Sequence, residues 1–183
     1  MKRTILFIVA LAMLAGAVAI HSSPSAPESD LASLAKYRQW TLVNPTPQLM
    51  APPSIVSCSI MPGRYEPSPH LNKYVSVFVN QVGREEMMTK QSPKFPIGSM
   101  IVKEKLGSAD STTAEMLTAM IKREPGYNPP GGDWEYLVLD GAATKIIEQG
   151  KLTRCSGCHR PFQGSDYITR TYLPQPVLSN LKP

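Results

Sequence analysis

An α+β domain, predominantly antiparallel β-sheet with a few short helices and its chemistry near the C-terminus, is what this sequence predicts. Three observations carry that prediction. β-Branched and aromatic residues alternate with period two in Tyr74-Val75-Ser76-Val77-Phe78-Val79, the pattern of a strand with two distinct faces. Eighteen prolines are scattered over 183 residues, too many to thread through a helical bundle. Late in the chain stands Cys155-Ser156-Gly157-Cys158-His159, whose i, i+3, i+4 spacing puts two thiols and an imidazole on one face of a single helical turn.

Taken in order, the elements begin with a leader. Lys2 and Arg3 precede an almost wholly apolar run over residues 4–18, and Ala17-Val18-Ala19 offers a small-x-small cleavage site. Residues 1–19 therefore read as a signal peptide and the mature chain as exported, which places it in the periplasm. The run is short for a spanning helix and a polar, Pro-rich stretch follows it, which disfavours an uncleaved anchor. Residues 20–35 read as a flexible leader and residues 36–183 as one domain. The spacing predicts a short helix over residues 31–40, stopped by Asn44-Pro45-Thr46-Pro47. Pro52, Pro53, Pro62, Pro67 and Pro69 then leave little room for regular structure.

A strand is expected over residues 73–80, a helical connector over 81–90, and a second strand over 99–106 after the turn Phe95-Pro96-Ile97-Gly98. Residues 113–124 fit either a helix, from Ala114-Glu115-Met116-Leu117, or a hairpin arm, from the Pro-Gly-rich loop that follows. A third strand is expected over 133–140, with Trp134, Tyr136 and Val138 on one face. Residues 142–150 read as a helix delivering the chain to the Cys-His motif, with Gly150 as its stop. No repeat at a fixed period is visible, so a solenoid or an array of like units is not expected.

The net charge of +5 falls to +3 once the leader cations Lys2 and Arg3 are removed, and no basic run is present. Nucleic acid is accordingly not an expected partner. The motif itself is what covalent attachment of a c-type haem requires: each cysteine can form a thioether to a vinyl group, and the following histidine can bind the iron. One such motif predicts one haem c, tethered by Cys155 and Cys158, with His159 as the axial ligand. A closed zinc site needs four ligands, and only Cys58, His70 and His21 stand outside the motif, in no paired spacing. A redox dithiol or disulfide between Cys155 and Cys158 leaves the position of His159 unexplained. Cys58 is then an odd thiol, either buried or joined to a second chain.

The late motif separates this chain from the common small cytochromes. Residues 160–183 contain neither Met nor His, so the usual sixth ligand is missing from its usual place. Taken together, Tyr37-x-x-Trp40 with Val43-Asn44, the strand from Tyr74 to Asn80, Phe95-Pro96-x-Gly98 followed by Val102-Lys103-Glu104-Lys105-Leu106, and Gly132-Asp133-Trp134 ahead of the motif resemble the cytochrome P-460 family. The resemblance implies a largely β-sheet homodimer carrying one c-type haem, with His159 on one side of the iron and an open distal side. Some members of that family oxidise hydroxylamine; relatives of the cytochrome c′-beta type bind nitric oxide or carbon monoxide. The implied partners are a small nitrogen-oxygen molecule or a diatomic gas, together with a soluble redox protein.

In the hydroxylamine-oxidising members a lysine is joined covalently to the haem, and Lys103 is its apparent match. A strand puts Ile101, Lys103 and Lys105 on one face, so Lys103 is the candidate haem modifier; the alternative is that both lysines are solvated. The carboxylate base that helps hydroxylamine oxidation has no secure match. Just ahead of the motif stands Arg154, which cannot act as a base, and Glu104, Asp133 and Glu135 are candidates by fold alone. His70 follows Pro67-Ser68-Pro69 and reads as a loop histidine without iron contact, while Phe78 and Tyr136 read as core. An electron carrier is the third reading, with Met50, Met61, Met87, Met88, Met100, Met116 or Met120 as sixth ligand.

Overall fold

The computed structural model describes residues 26–50 and 70–183, with side chains in the first segment from Ser29 onward. The leader over residues 1–19, His21, Cys58, Met61 and the prolines from 52 to 69 lie outside the described residues.

The chain runs through α1 (Ala26–Leu34), a 3-10 turn (Tyr37–Gln39), β1 (Thr41–Leu42) and β2 (Gln48–Leu49). It continues through β3 (Tyr74–Val79), α2 (Arg84–Thr89), β4 (Met100–Leu106), β5 (Met116–Lys122) and β6 (Trp134–Asp140). The last elements are β7 (Ile146–Gly150), α3 (Thr153–His159), a 3-10 stretch (Arg160–Ser165) and α4 (Gln175–Leu178). Seven strands among the described residues form one antiparallel sheet in the order β1-β3-β4-β5-β6-β7, with β2 pairing the other half of β3. Helices are short, as the proline content requires.

Register fixes which side chains share a face. Val77 lies opposite Lys103, Lys103 opposite Thr118, and Thr118 opposite Val138. One rung along, Val79, Ile101, Met120, Tyr136 and Gly150 align across five strands. These rungs share their near face with a buried cluster that takes in Phe95, Trp134 and, from the C-terminal segment, Tyr167, Ile168, Tyr172 and Leu173. The alternate residues Phe78, Val102, Ala119 and Leu137 make the far face, covered by Leu34, Tyr37 and Trp40. Both faces of the central strands are buried, so the sheet is a partition between two cores.

Residues 113–124 resolve as a hairpin arm: β5 pairs along its whole length with β6, Met116 opposite Asp140 through Lys122 opposite Trp134. The first helix starts at Ala26, inside the stretch read as leader, and a separate 3-10 turn occupies Tyr37–Gln39.

The expected helix over residues 142–150 is a strand. Asp140 turns the chain: its carboxylate accepts the backbone N–H groups of Thr144 and Lys145, each at 2.8 Å, and the Thr144 hydroxyl at 2.6 Å. Ala143 adopts φ 56 within that turn. Pairing with β7 satisfies the outer edge of β6, which a helix would have left as open donors and acceptors. Gly150 does end the element, but as the last strand residue at φ +126, a conformation that L side chains rarely adopt.

Candidate functional site

The bend at Gly150 drops the chain onto the near face, where Leu152 packs against the cluster. The N–H groups of Cys155 and Ser156 donate back to the Leu152 carbonyl at 2.9 and 3.0 Å, and this starts α3. The helix carries Cys155, Cys158 and His159 at the spacing expected from the sequence. Both cysteines are half-buried and neither is in a disulfide.

His159 is anchored from behind. Its Nδ1 lies 2.7 Å from the Tyr167 carbonyl oxygen; a carbonyl can only accept, so Nδ1 carries the proton and donates, leaving the Nε2 lone pair for a metal. Burial, followed by the positive charge of Lys103, pulls the imidazole down to about 4, only partly opposed by that hydrogen bond. The ring is therefore neutral at pH 7, as an iron ligand must be. Tyr136 faces it with ring centroids 5.5 Å apart.

Two lysines stand on this side among the aliphatic and aromatic residues of the cluster. Lys103 and Lys105 are buried, at 8 % and 1 % exposure, so neither has the solvated position of an ordinary strand lysine. Lys103 Nζ sits 5.2 Å from the centre of the Tyr172 ring, a cation-π distance. Lys105 Nζ lies 3.4 Å from Met116 Sδ. Desolvation first, and then the charge of Lys103, bring Lys105 down to about 7. His70, in a turn as expected, is held well below its usual value by burial and by the charges of Lys103, Lys105 and His159. The loop histidine thus belongs to the same electrostatic neighbourhood as the motif.

The carboxylates go elsewhere. Glu104 lies on the far face, where Tyr37 Oη and Arg38 Nε donate to it at 2.6 and 2.8 Å. Glu135 is also on the far face, held by Arg123 Nε at 2.6 Å and Gln149 Nε2 at 3.1 Å. Asp133 accepts the backbone N–H groups of Gly126 and Asn128 and serves its own loop. None of the three acids suggested by fold faces the motif. Arg154 pairs with Glu148 at 2.6 Å. Phe78 is far-face core, in edge contact with Tyr37, whereas Tyr136 is core that borders the motif.

Sequence reasoning did not single out Tyr167, Tyr172, Asp166 or Lys122. The backbone carbonyl of Tyr167 is the functional atom, and no side-chain pattern announces a carbonyl. The site suits a haem. Two thiols outside any disulfide and an imidazole with its Nε2 available share one helical face, an apolar and aromatic wall stands beside them, and the buried hydroxyls of Tyr136 and Tyr172 meet no hydrogen-bond partner.

The family model for cytochrome P-460 matches residues 34–170, which takes in every strand, both buried lysines and the whole motif. A search of curated proteins finds no match.

Proposed function

Since this chain belongs to the cytochrome P-460 family, and is therefore a haem protein, we propose that it holds one haem c through Cys155 and Cys158, with His159 as axial ligand, and performs redox chemistry on a small nitrogen-oxygen compound such as hydroxylamine. The observation that carries this reading is the convergence of His159 with two buried lysines on one face of the sheet. When bound, the haem would supply an iron that can accept electrons from such a compound.

The chain's own residues supply the rest. His159 offers Nε2 while Tyr167 holds Nδ1. Oxidation of hydroxylamine releases protons, and at pH 7 a fraction of Lys105 is neutral and able to take one. Lys105 thus replaces the missing carboxylate in this reading, and His70 is a second neutral base near it. Lys103, buried on the same face of the sheet, is the candidate for a covalent bond to the macrocycle.

Protease digestion of the holoprotein with mass analysis of the haem peptide tests the attachment: residues 155–159 should carry the haem, and a peptide containing Lys103 should be joined to it. C155S and C158S together should leave haem extractable by acidified solvent. H159A should retain the thioethers and lose the wild-type ferrous spectrum. Reduction of an added electron acceptor by hydroxylamine tests the activity, and no turnover by the intact holoprotein would remove it.

Capture of nitric oxide or carbon monoxide is the second reading, favoured by the aromatic, carboxylate-poor wall around Tyr136 and Tyr172; tight ligand binding by the ferrous form without turnover would select it. An electron carrier is the third, favoured by the thioethers of Met87 and Met120 in the same buried cluster. A low-spin spectrum indifferent to added ligands would select that one. Export to the periplasm, a soluble redox partner and a homodimer complete the proposal; N-terminal sequencing of the secreted protein and its sedimentation mass test the first and last.

A further inference from the structure

The carbonyl that anchors His159 sits in an unusual stretch of backbone. Asp166 and Tyr167 are consecutive non-glycine residues at positive φ, 52 and 65; L side chains disfavour this region, and it persists only where the surroundings impose it. Here the surroundings are specific. Lys122, from the end of β5, places Nζ 2.8 Å from both carboxylate oxygens of Asp166 and 2.8 Å from the Gly132 carbonyl oxygen. The same ammonium stands 5.1 Å from the centre of the Trp134 ring.

Trp134 Nε1 donates to the Asp166 carbonyl at 2.8 Å. Phe95 N–H donates to Asp166 Oδ2 at 2.9 Å. The Tyr167 ring lies against Gly132, where an added Cβ would come within 2.4 Å of it. The Lys122–Asp166 pair is largely shielded, at 15 % and 7 % side-chain exposure, so water competes little for it. Three elements of the sheet and its loops therefore converge on two residues, and the next carbonyl along is the one that His159 uses.

We propose that Lys122 and Asp166 are positioning residues that set the strength of the bond between His159 and iron, by holding the Tyr167 carbonyl against Nδ1–H. A firm acceptor on Nδ1 makes the imidazole a stronger donor through Nε2, which strengthens the iron–histidine bond and favours ferric iron. A slack acceptor does the reverse. The inference rests on the haem reading above and goes beyond it by naming the residues that tune the metal without touching it.

The test uses ferrous holoprotein, reading the iron–histidine stretch by resonance Raman and the reduction potential by redox titration. K122M and D166N should lower the stretching frequency and raise the potential, and K122R should restore both part of the way. R123M, which disrupts two ion pairs on the opposite face, should lower the melting temperature and move neither readout. A K122M holoprotein with the wild-type stretch and potential overturns the proposal. Should K122M not accumulate, G132A decides on the same two readouts, since its methyl must displace the Tyr167 ring; an unshifted G132A is equally fatal. A wild-type protein that binds no haem fails at the earlier step and takes both readings with it.

Discussion

Lys105 carries a cost of burial that pH can reveal. It is 1 % exposed, and burial with the neighbouring charge of Lys103 brings it from 10.5 to about 7. Between those two values the unfolded chain binds a proton that the folded chain has released, so stability must rise with pH across the window. Each pH unit of such a shift corresponds to about 1.4 kcal/mol, which makes the effect on the order of a few kcal/mol. The melting temperature of the holoprotein should therefore climb between pH 7 and pH 9. K105M should be more stable than wild type at pH 7, lose most of that slope, and turn over hydroxylamine more slowly if Lys105 is the base. A slope equally steep in K105M would show that some other group is responsible.

At the scale of elements, ion pairs on the far face tie the helical cover to the sheet. Arg123, next after β5, bridges Asp30 of α1 and Glu135 of β6. Both carboxylates have side chains only 8 % exposed, so removing the guanidinium strands two buried charges. R123M should cost about 3–5 kcal/mol, a fall in melting temperature on the order of 10 °C. Adding E135L should recover part of the loss, because an apolar pair tolerates burial where a lone carboxylate does not. Calorimetry of the two variants checks both statements. The β6–β7 hairpin teaches a related lesson. Residues 142–150 contain no proline and only a terminal glycine, so local sequence permits a helix, and the decision lies with Asp140 and with the unpaired edge of β6.

For the whole molecule, the sheet divides labour between its faces. The near face carries the motif, both lysines and the C-terminal segment; the far face carries α1, Tyr37 and the two displaced glutamates. Damage should therefore separate cleanly. F78A, on the far side, should cost about 3–5 kcal/mol and leave the haem spectrum unchanged. Y136F removes a buried hydroxyl that has no partner, so it should leave stability the same or slightly higher, while altering the spectrum by making the wall beside His159 less polar. Thermal melts and absorption spectra of the two variants distinguish this from a single core in which any large substitution disturbs both properties.

The sequence determined by itself most of what is local, residues 142–150 and α1 excepted. Period-two alternation placed the strands from Tyr74 and from Trp134, the spacing of Cys155, Cys158 and His159 placed three donors on one helical turn, and the order of short motifs carried the family. Even the shared face of Lys103 and Lys105 was legible, because alternation along a strand needs no partner. Which way that face points was decided only by tertiary structure: it took strand register to bury both lysines beside His159 and to send Glu104 and Glu135 to the other side. The anchoring of His159 is more remote still from the sequence. It depends on a backbone carbonyl held by Lys122, Gly132 and Trp134, residues 30 to 45 positions distant along the chain, and no local pattern encodes contacts that exist only after the sheet has closed over them.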